Sequence, residues 1–239
     1  MSTRGRLAGA LRAVVFAALA VGVAACGGGE GGDEVDVTAV DAPALLEGAA
    51  ARIEQARSFR FRLEHEHGST VILDAIQMQS AEGEVAGPDE MSLQIKALAG
   101  PLNVALGIVV LPDQAWVTNP LTGRWERQDI DVSAFFDPAN GVTALMRGIR
   151  EARVTGTETV DGVAMYVVEA TVDSGDLSLF AQGAPAGKPL GAKAWIGVDD
   201  PLVYRIEVTG AITAAEPANL VRRLTLRDWG AEIAISPPR

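Results

Sequence analysis

Met91-Ser92-Leu93-Gln94-Ile95-Lys96-Ala97 alternates apolar and polar residues without a break. Successive side chains of a strand point to opposite faces, so this period of two gives one dry face and one wet face. The same period runs upstream through Phe59, Phe61 and Leu63, interleaved with Arg60, Arg62 and Glu64. Downstream, Leu102 to Val110 places Leu102, Val104, Leu106, Ile108 and Val110 on one side and smaller residues on the other. Gly87-Pro88-Asp89, Leu111-Pro112-Asp113 and Asn119-Pro120-Leu121-Thr122-Gly123 punctuate these runs as turns. The expected product is an antiparallel meander with one apolar surface, and that surface needs a cover.

Two segments offer one. In Ala42 to Arg57 the apolar residues Leu45, Leu46, Ala49, Ala50, Ile53 and Ala56 recur at spacings of three and four, which is one face of a helix. Pro43 suits its first turn and Ser58 marks its end. A second helix opens at Asp137-Pro138 as cap and first residue. It runs through Val142, Leu145, Met146 and Ile149 to about Arg150, with Phe135 and Phe136 as an apolar plug before it. Strands then resume: Arg153 to Val160, an Asp161-Gly162 hairpin turn, and Val163 to Val172. Asp176 to Gln182 reads as a short apolar helix or turn carrying Leu177, Leu179 and Phe180. After the loop Gly183 to Gly191 come Ala192 to Val198, the turn Asp199-Asp200-Pro201, Leu202 to Ile212, Asn219 to Arg227 and a last short strand near Glu232 to Ile235. The expectation is an α+β domain over residues 42–239, with about ten or eleven antiparallel strands, two or three helices and no internal repeat.

The N-terminus has a different character. Arg4, Arg6 and Arg12 precede an uncharged stretch, Ala13 to Ala25, that ends at Cys26, the sole cysteine. Thirteen uncharged residues fall short of the ~20 that a membrane-spanning helix needs, so residues 1–25 read as a secretory signal peptide. Val23-Ala24-Ala25-Cys26-Gly27 resembles a bacterial lipobox. In that signal the cysteine is acylated and becomes the first mature residue, which implies a palmitate-type anchor at Cys26 on the extracytoplasmic side of the cell membrane. Gly27 to Asp41 is Gly-rich and carries Glu30, Asp33, Glu34, Asp36 and Asp41 without a basic residue, so residues 26–41 read as a lipidated cysteine and a solvated tether.

Composition excludes several functions. One cysteine allows no intrachain disulfide, and burial alone must hold the core. The full chain has a net charge of -11, and removing a leader with three arginines and no acids makes it -14. Such a chain should not bind nucleic acid, whose affinity rests on neutralising phosphates. Anionic head groups should repel it unless acyl chains hold it in place. His65 and His67 continue the Phe59-Phe61-Leu63 face toward the strand end. No third ligand has a recognisable metal-site spacing, so they read as a polar rim. There is no Gly-x-Ser-x-Gly elbow, and Ser174 in Asp173-Ser174-Gly175 reads as a turn. Asp199-Asp200 before Pro201 likewise reads as a turn, not a catalytic pair. No phosphate-cradling loop is present. The reading is therefore non-enzymatic, without cofactor or metal.

The segment from Phe135 to Pro238 resembles the LppX/LprAFG family of actinobacterial cell-envelope lipoproteins. The carrying features are Asp137-Pro138-Ala139-Asn140-Gly141-Val142 opening the apolar helix, and the Thr157-Glu158-Thr159-Val160-Asp161-Gly162 hairpin. Ala194-Trp195-Ile196 after a Pro/Gly loop, Asp228-Trp229-Gly230 and Pro237-Pro238 complete them. Trp116 and Trp125, flanking a turn, fit the middle of the family, and with the lipobox the likeness covers nearly all of the mature chain. The resemblance implies a strongly curved, LolA/LolB-like antiparallel half-barrel with helices packed on its concave face. It implies a monomer that holds the acyl chains of a glycolipid, phospholipid or triacylglycerol between sheet and helices and carries them through the envelope, with an envelope transporter as partner.

Inward strand parity and the covering helix single out Phe61, Leu63, Leu93, Ile95, Val104, Leu106, Ile108, Phe135, Leu145, Met146, Ile149, Tyr166, Val168, Phe180 and Ile206 as lipid contacts. Plain core packing is the competing reading for each of them. The competing function is a structural or regulatory lipoprotein whose half-barrel docks another envelope protein without bound lipid.

Overall fold

Two antiparallel meanders meet where the first strand pairs with the last. In the computed structural model the described residues are 37–72, 76–87, 89–128, 145–177 and 185–239. Helix α1 spans Ala42–Gln55. The strands are β1 (Ser58–Glu66), β2 (Thr70–Ile72), β3 (Ile76–Ala86), β4 (Met91–Ala99), β5 (Leu102–Leu111), β6 (Gln114–Thr118), β7 (Trp125–Gln128), β8 (Arg150–Val160), β9 (Val163–Asp173), β10 (Pro189–Gly197), β11 (Val203–Thr209) and β12 (Val221–Arg227). Their order across the sheet is β7-β6-β5-β4-β3-β1-β12-β11-β10-β9-β8, with β2 paired to β3 off this path. Every pairing is antiparallel. The edges β7 and β8 do not pair with each other, so the sheet stays open as a half-barrel.

The alternating runs form strands in the expected places, and the register turns parity into a continuous face. Leu63 lies opposite Ala81 on one side and Leu224 on the other; Ala81 faces Ile95, which faces Leu106. In the other meander Leu224 faces Ile206, Ile206 faces Ala194, and Ala194 faces Val168. These residues line the same side and join one hydrophobic core. Helix α1 covers part of it through Ala42, Leu46, Ala49, Ala50 and Ile53. Asp41 caps that helix by accepting the Ala44 N–H at 3.1 Å, and Pro43 occupies its first turn. Arg52 then clamps Asp200 with two hydrogen bonds of 2.8 and 2.7 Å, tying the helix to the β10–β11 turn. Arg147 reaches Glu54 at 2.8 Å and so links α1 to the helical turn at 145–148.

At the β8–β9 hairpin Asp161 and Gly162 take φ of 52° and 81°. Two successive positive values make the tight turn whose twist matches its flanking strands. Gly83 is required for another reason: a Cβ there would clash with the Ser92 carbonyl oxygen and lie 2.9 Å from the Phe61 ring, which rests across it.

Several expectations are corrected. Twelve strands are seen among the described residues; β2, β3, β6 and β7 lie outside the runs whose pattern marks them as strands. The strand expected near Glu232 to Ile235 does not form. Ser58 donates its hydroxyl proton to Ala231 O and accepts the Gly230 N–H at its own carbonyl. The adjoining β1 already has β3 and β12 as neighbours, so no sheet edge is free there. The strand expected to run to Ile212 ends at Thr209, and the one expected from Arg153 begins at Arg150. Within the segment read as tether, Val37–Ala39 form a 3-10 turn in contact with β8. All described residues belong to one compact unit, Val35–Arg239.

Candidate functional site

The apolar side of the sheet is the surface on which the sequence-derived contacts converge. Leu63, Leu93, Ile95, Leu106, Leu145, Met146, Val168 and Ile206 are buried members of the core. Four of these, Leu145, Met146, Val168 and Ile206, are no more than 1% exposed, so protein atoms cover them on all sides. Phe61, Val104, Ile108 and Ile149 differ: they pack against the core yet keep accessible surface. Tyr166 is also half-buried, opposite Ile196 on β10 and Thr157 on β8. Cys26, Phe135 and Phe180 lie outside the described residues.

The half-covered positions are not scattered. Phe61 faces Gly83, Gly83 faces Leu93 and Leu93 faces Ile108, so Phe61 and Ile108 flank one row across β1, β3, β4 and β5. Val104 lies two rows further along β5 opposite Ala97, and Val110 lies one row the other way opposite Met91. Small residues at Gly83, Ala81 and Ala97 keep this side of the sheet low, while the helical turn at 145–148 contributes the fully enclosed Leu145 and Met146; the expected start of that helix at Asp137 lies outside the described residues.

Toward the end of β1 the same face turns polar. His65 continues the Leu63 side and faces Arg222, as alternation demands. Its Nδ1 donates to Gln79 O at 3.1 Å, and its Nε2 lies 2.9 Å from Thr70 Oγ1. Arg222 Nε donates to the same hydroxyl oxygen at 2.9 Å, and Nη1 donates to Gly210 O at 2.9 Å. The counter-charge comes from Glu216 in the β11–β12 loop, whose Oε2 is 2.6 Å from Arg222 Nη2 and accepts the Ile212 N–H at 2.6 Å. Both side chains of this ion pair are essentially enclosed. With Nδ1–H committed to a carbonyl, neutral His65 accepts the Thr70 proton at Nε2. Protonation would set a second cation beside Arg222 and orphan that hydroxyl proton. Burial first, and then the Arg222 charge, hold the His65 imidazolium pKa below its ordinary value, against the upward pull of the Gln79 carbonyl and Glu216.

His67 does not share this face. β1 ends at Glu66, and His67 turns out to solvent with φ 64°. Among the described residues no cluster of His, Cys, Asp or Glu could hold a metal ion. Asp200 is engaged by Arg52, which lowers its carboxyl pKa, and Ser174 is buried with its hydroxyl donated to Pro185 O. Asp173 is likewise lowered by the Gly187 and Gly175 N–H groups. These groups brace loops. Trp116 and Trp125 lie on the opposite face of the sheet, where Trp125 covers Gly107 and Arg127 stacks 5.6 Å from the Trp116 ring centre.

The alternation of Val221-Arg222-Arg223-Leu224-Thr225-Leu226 already places Arg222 inward with Leu224 and Leu226. Nothing in Ala214-Ala215-Glu216-Pro217 marks Glu216 as its partner.

The model of the LppX_LprAFG lipoprotein family matches residues 41–235. A lipoarabinomannan carrier protein LprG of Mycolicibacterium smegmatis is 24% identical over 246 residues, covering 100% of this chain and 99% of that relative. The LprG of Mycobacteroides abscessus is 31% identical over 108 residues, 45% of this chain and 46% of the relative, so that likeness spans about half the length of each. The crystal structure of LprF from Mycobacterium bovis superposes with a TM-score of 0.62 at 16% identity, covering 82% of this chain and 96% of that one. At that identity the likeness concerns the fold.

Proposed function

The chain belongs to the LppX_LprAFG lipoprotein family, and from that premise we propose that it carries an acylated lipid of the cell envelope, without catalysing a reaction. The observation that carries the proposal is the half-barrel's one-sided apolar face, on which Phe61, Val104, Ile108 and Ile149 keep surface that the protein's own core does not cover. The relatives named as lipoarabinomannan carriers support lipid as the cargo class. An acyl tail needs only apolar area, and each methylene removed from water gains about 0.8 kcal/mol. Ten such groups supply roughly 8 kcal/mol before the cost of association, so a loosely shaped surface suffices. Affinity then follows tail length more than head group.

In this reading residues 1–25 are a signal peptide, Cys26 carries the acyl anchor, residues 26–41 form the tether, and residues 42–239 form the carrier on the extracytoplasmic side. Leu63, Leu93, Ile95, Leu106, Tyr166 and the enclosed residues support the lipid-facing surface from beneath.

Organic extraction and native mass spectrometry of the purified protein test the proposal. Co-purified acyl lipid at a fixed stoichiometry is the expected result. A lipid-free protein that also ignores fluorescent fatty acids would overturn it. Val104→Trp should abolish lipid uptake while leaving the melting temperature close to wild type. If Val104 is only core, the same change costs about 1–3 kcal/mol of stability by overpacking.

A further inference from the structure

Two strands share one edge of β3. β1 follows it from Ser58 opposite Ala86 to Glu64 opposite Ser80, and β2 then takes over with Thr70 opposite Met78, Val71 opposite Gln77 and Ile72 opposite Ile76. The handover falls at Gln79, where the ladder between β3 and β4 shifts register between Met78 and Ser80. A bulge of this kind leaves its extra residue out of the ladder. Here the Gln79 carbonyl is taken by His65 Nδ1 at 3.1 Å. β2 is three residues long and pairs with no strand but β3, so its ladder is among the easiest in the sheet to open. What ties it to the strands beyond β3 is the buried Thr70 hydroxyl, whose oxygen lies 2.9 Å from His65 Nε2 and 2.9 Å from Arg222 Nε.

The charges around this tie balance only while His65 is neutral. Arg222 of β12 and Glu216 of the β11–β12 loop, enclosed and 2.6 Å apart, cancel each other. Neither β2, with Thr70, Val71 and Ile72, nor the bulge of β3, with Met78, Gln79 and Ser80, adds a charged residue. On β1 itself, Glu64 and Glu66 alternate to the opposite face, where Arg62 and Arg223 hold them, and His67 turns to solvent. Neutral His65 donates to Gln79 from Nδ1 and accepts the Thr70 proton at Nε2, which completes an unbroken chain to Arg222. A proton on Nε2 turns that acceptor into a donor. It also sets a second cation no further from Arg222 Nε than two 2.9 Å hydrogen bonds reach, with one carboxylate to serve both. Like charges at that range repel strongly where water is scarce. His65 is only half-buried, so the charged ring has a way out to water, and taking it means leaving Thr70.

Thr70 also heads a row of the apolar face that crosses to Met78, Ala97 and Val104. Met78 is buried, whereas Val104 keeps accessible surface. Lifting β2 removes the neighbour of Met78 on one side and carries the accessible apolar surface across the row. We propose that His65 is a pH-sensitive latch: its neutral ring holds β2 on the edge of β3, and protonation frees that strand and widens the apolar face along the row from Thr70 to Val104. The inference goes beyond the carrier reading and holds whether or not a lipid is bound.

Hydrogen–deuterium exchange of the purified protein at pH 7.5 and 5.5, corrected for the intrinsic amide rate at each pH, reads the latch directly. Protection of the Thr70–Ile72 amides should fall by up to about tenfold at pH 5.5, the ratio set by one pH unit below the ordinary imidazole value of ~6.5. In low urea their exchange should show almost no dependence on denaturant, the mark of a local opening rather than global unfolding. His65→Gln should remove the pH dependence, and His67→Gln should behave as the wild type. The chain has only two histidines, so His67→Gln leaves His65 as the sole imidazole. Its NMR titration in that variant should share a midpoint with the loss of β2 protection, a readout that stands even if His65→Gln folds poorly. Equal protection of Thr70–Ile72 at the two pH values, a fall that persists in His65→Gln, or exchange with the full denaturant slope of the core strands overturns the proposal. So does a His65 ring that titrates while β2 stays unchanged.

Discussion

Replacing Glu216 with alanine removes the counter-ion of a guanidinium that has no access to water. Glu216 and Arg222 lie 2.6 Å apart, with side-chain exposures of 1% and 0%. The substitution leaves Arg222 with only neutral partners, Thr70 Oγ1 and Gly210 O, and strips the Ile212 N–H of its acceptor. Breaking a buried pair from one side costs about 3–5 kcal/mol, because the surviving charge stays desolvated. Domains of ordinary stability hold about 5–15 kcal/mol in all, so the variant should lose a large share of it. Urea unfolding of residues 35–239, followed by tryptophan fluorescence, should show a lower midpoint at an unchanged slope. The companion variant Glu216→Gln/Arg222→Met removes both charges and should recover at least ~2 kcal/mol of that loss, within the coupling range of neighbouring residues. A Glu216→Ala loss below about 1 kcal/mol, or a double variant no better than the single, would refute the idea that the pair locks the β11–β12 loop over the end of the sheet.

The same cluster makes stability depend on pH. The folded pKa of His65 is below its unfolded value, so the unfolded state binds more protons between the two. Its contribution is therefore complete above pH ~6.5 and is lost as pH falls toward the folded pKa. Melting temperatures from pH 7.5 to 5 should fall more steeply for the wild type than for His65→Gln, and parallel curves would contradict the assignment. Gly83→Ala should lower stability by about 1–3 kcal/mol, since its methyl meets the Ser92 carbonyl and the Phe61 ring, and a wild-type melting temperature would show that the strands yield freely. Cys26→Ala should release the full chain from membranes after cell fractionation; unchanged detergent partitioning would disprove the anchor.

Local chemistry made much of this fold readable before any coordinates. The period-two runs at Phe59–Leu63, Met91–Ala97 and Leu102–Val110 are strands because a pleated backbone imposes that period on any half-buried sequence. Asp161-Gly162 is a hairpin because both residues tolerate positive φ. Parity alone therefore put Leu63, Leu93, Ile95, Leu106, Val168 and Ile206 on one side. It could not say how completely each is covered, since Phe61 and Leu63 have the same alternation but different neighbours overhead.

The sequence by itself determined the alternating strands β1, β4, β5 and β8 to β12, their faces and the turns between them, because these depend on residues a few positions apart. Only the tertiary structure decided that β1 pairs with β12, that the C-terminal segment finds no sheet edge, and that Glu216 folds in to meet Arg222. Those outcomes hang on competition between surfaces and charges distant along the chain, where the cost of an unpaired strand or an unpaired buried ion selects the partner. No short-range pattern records the result of that competition.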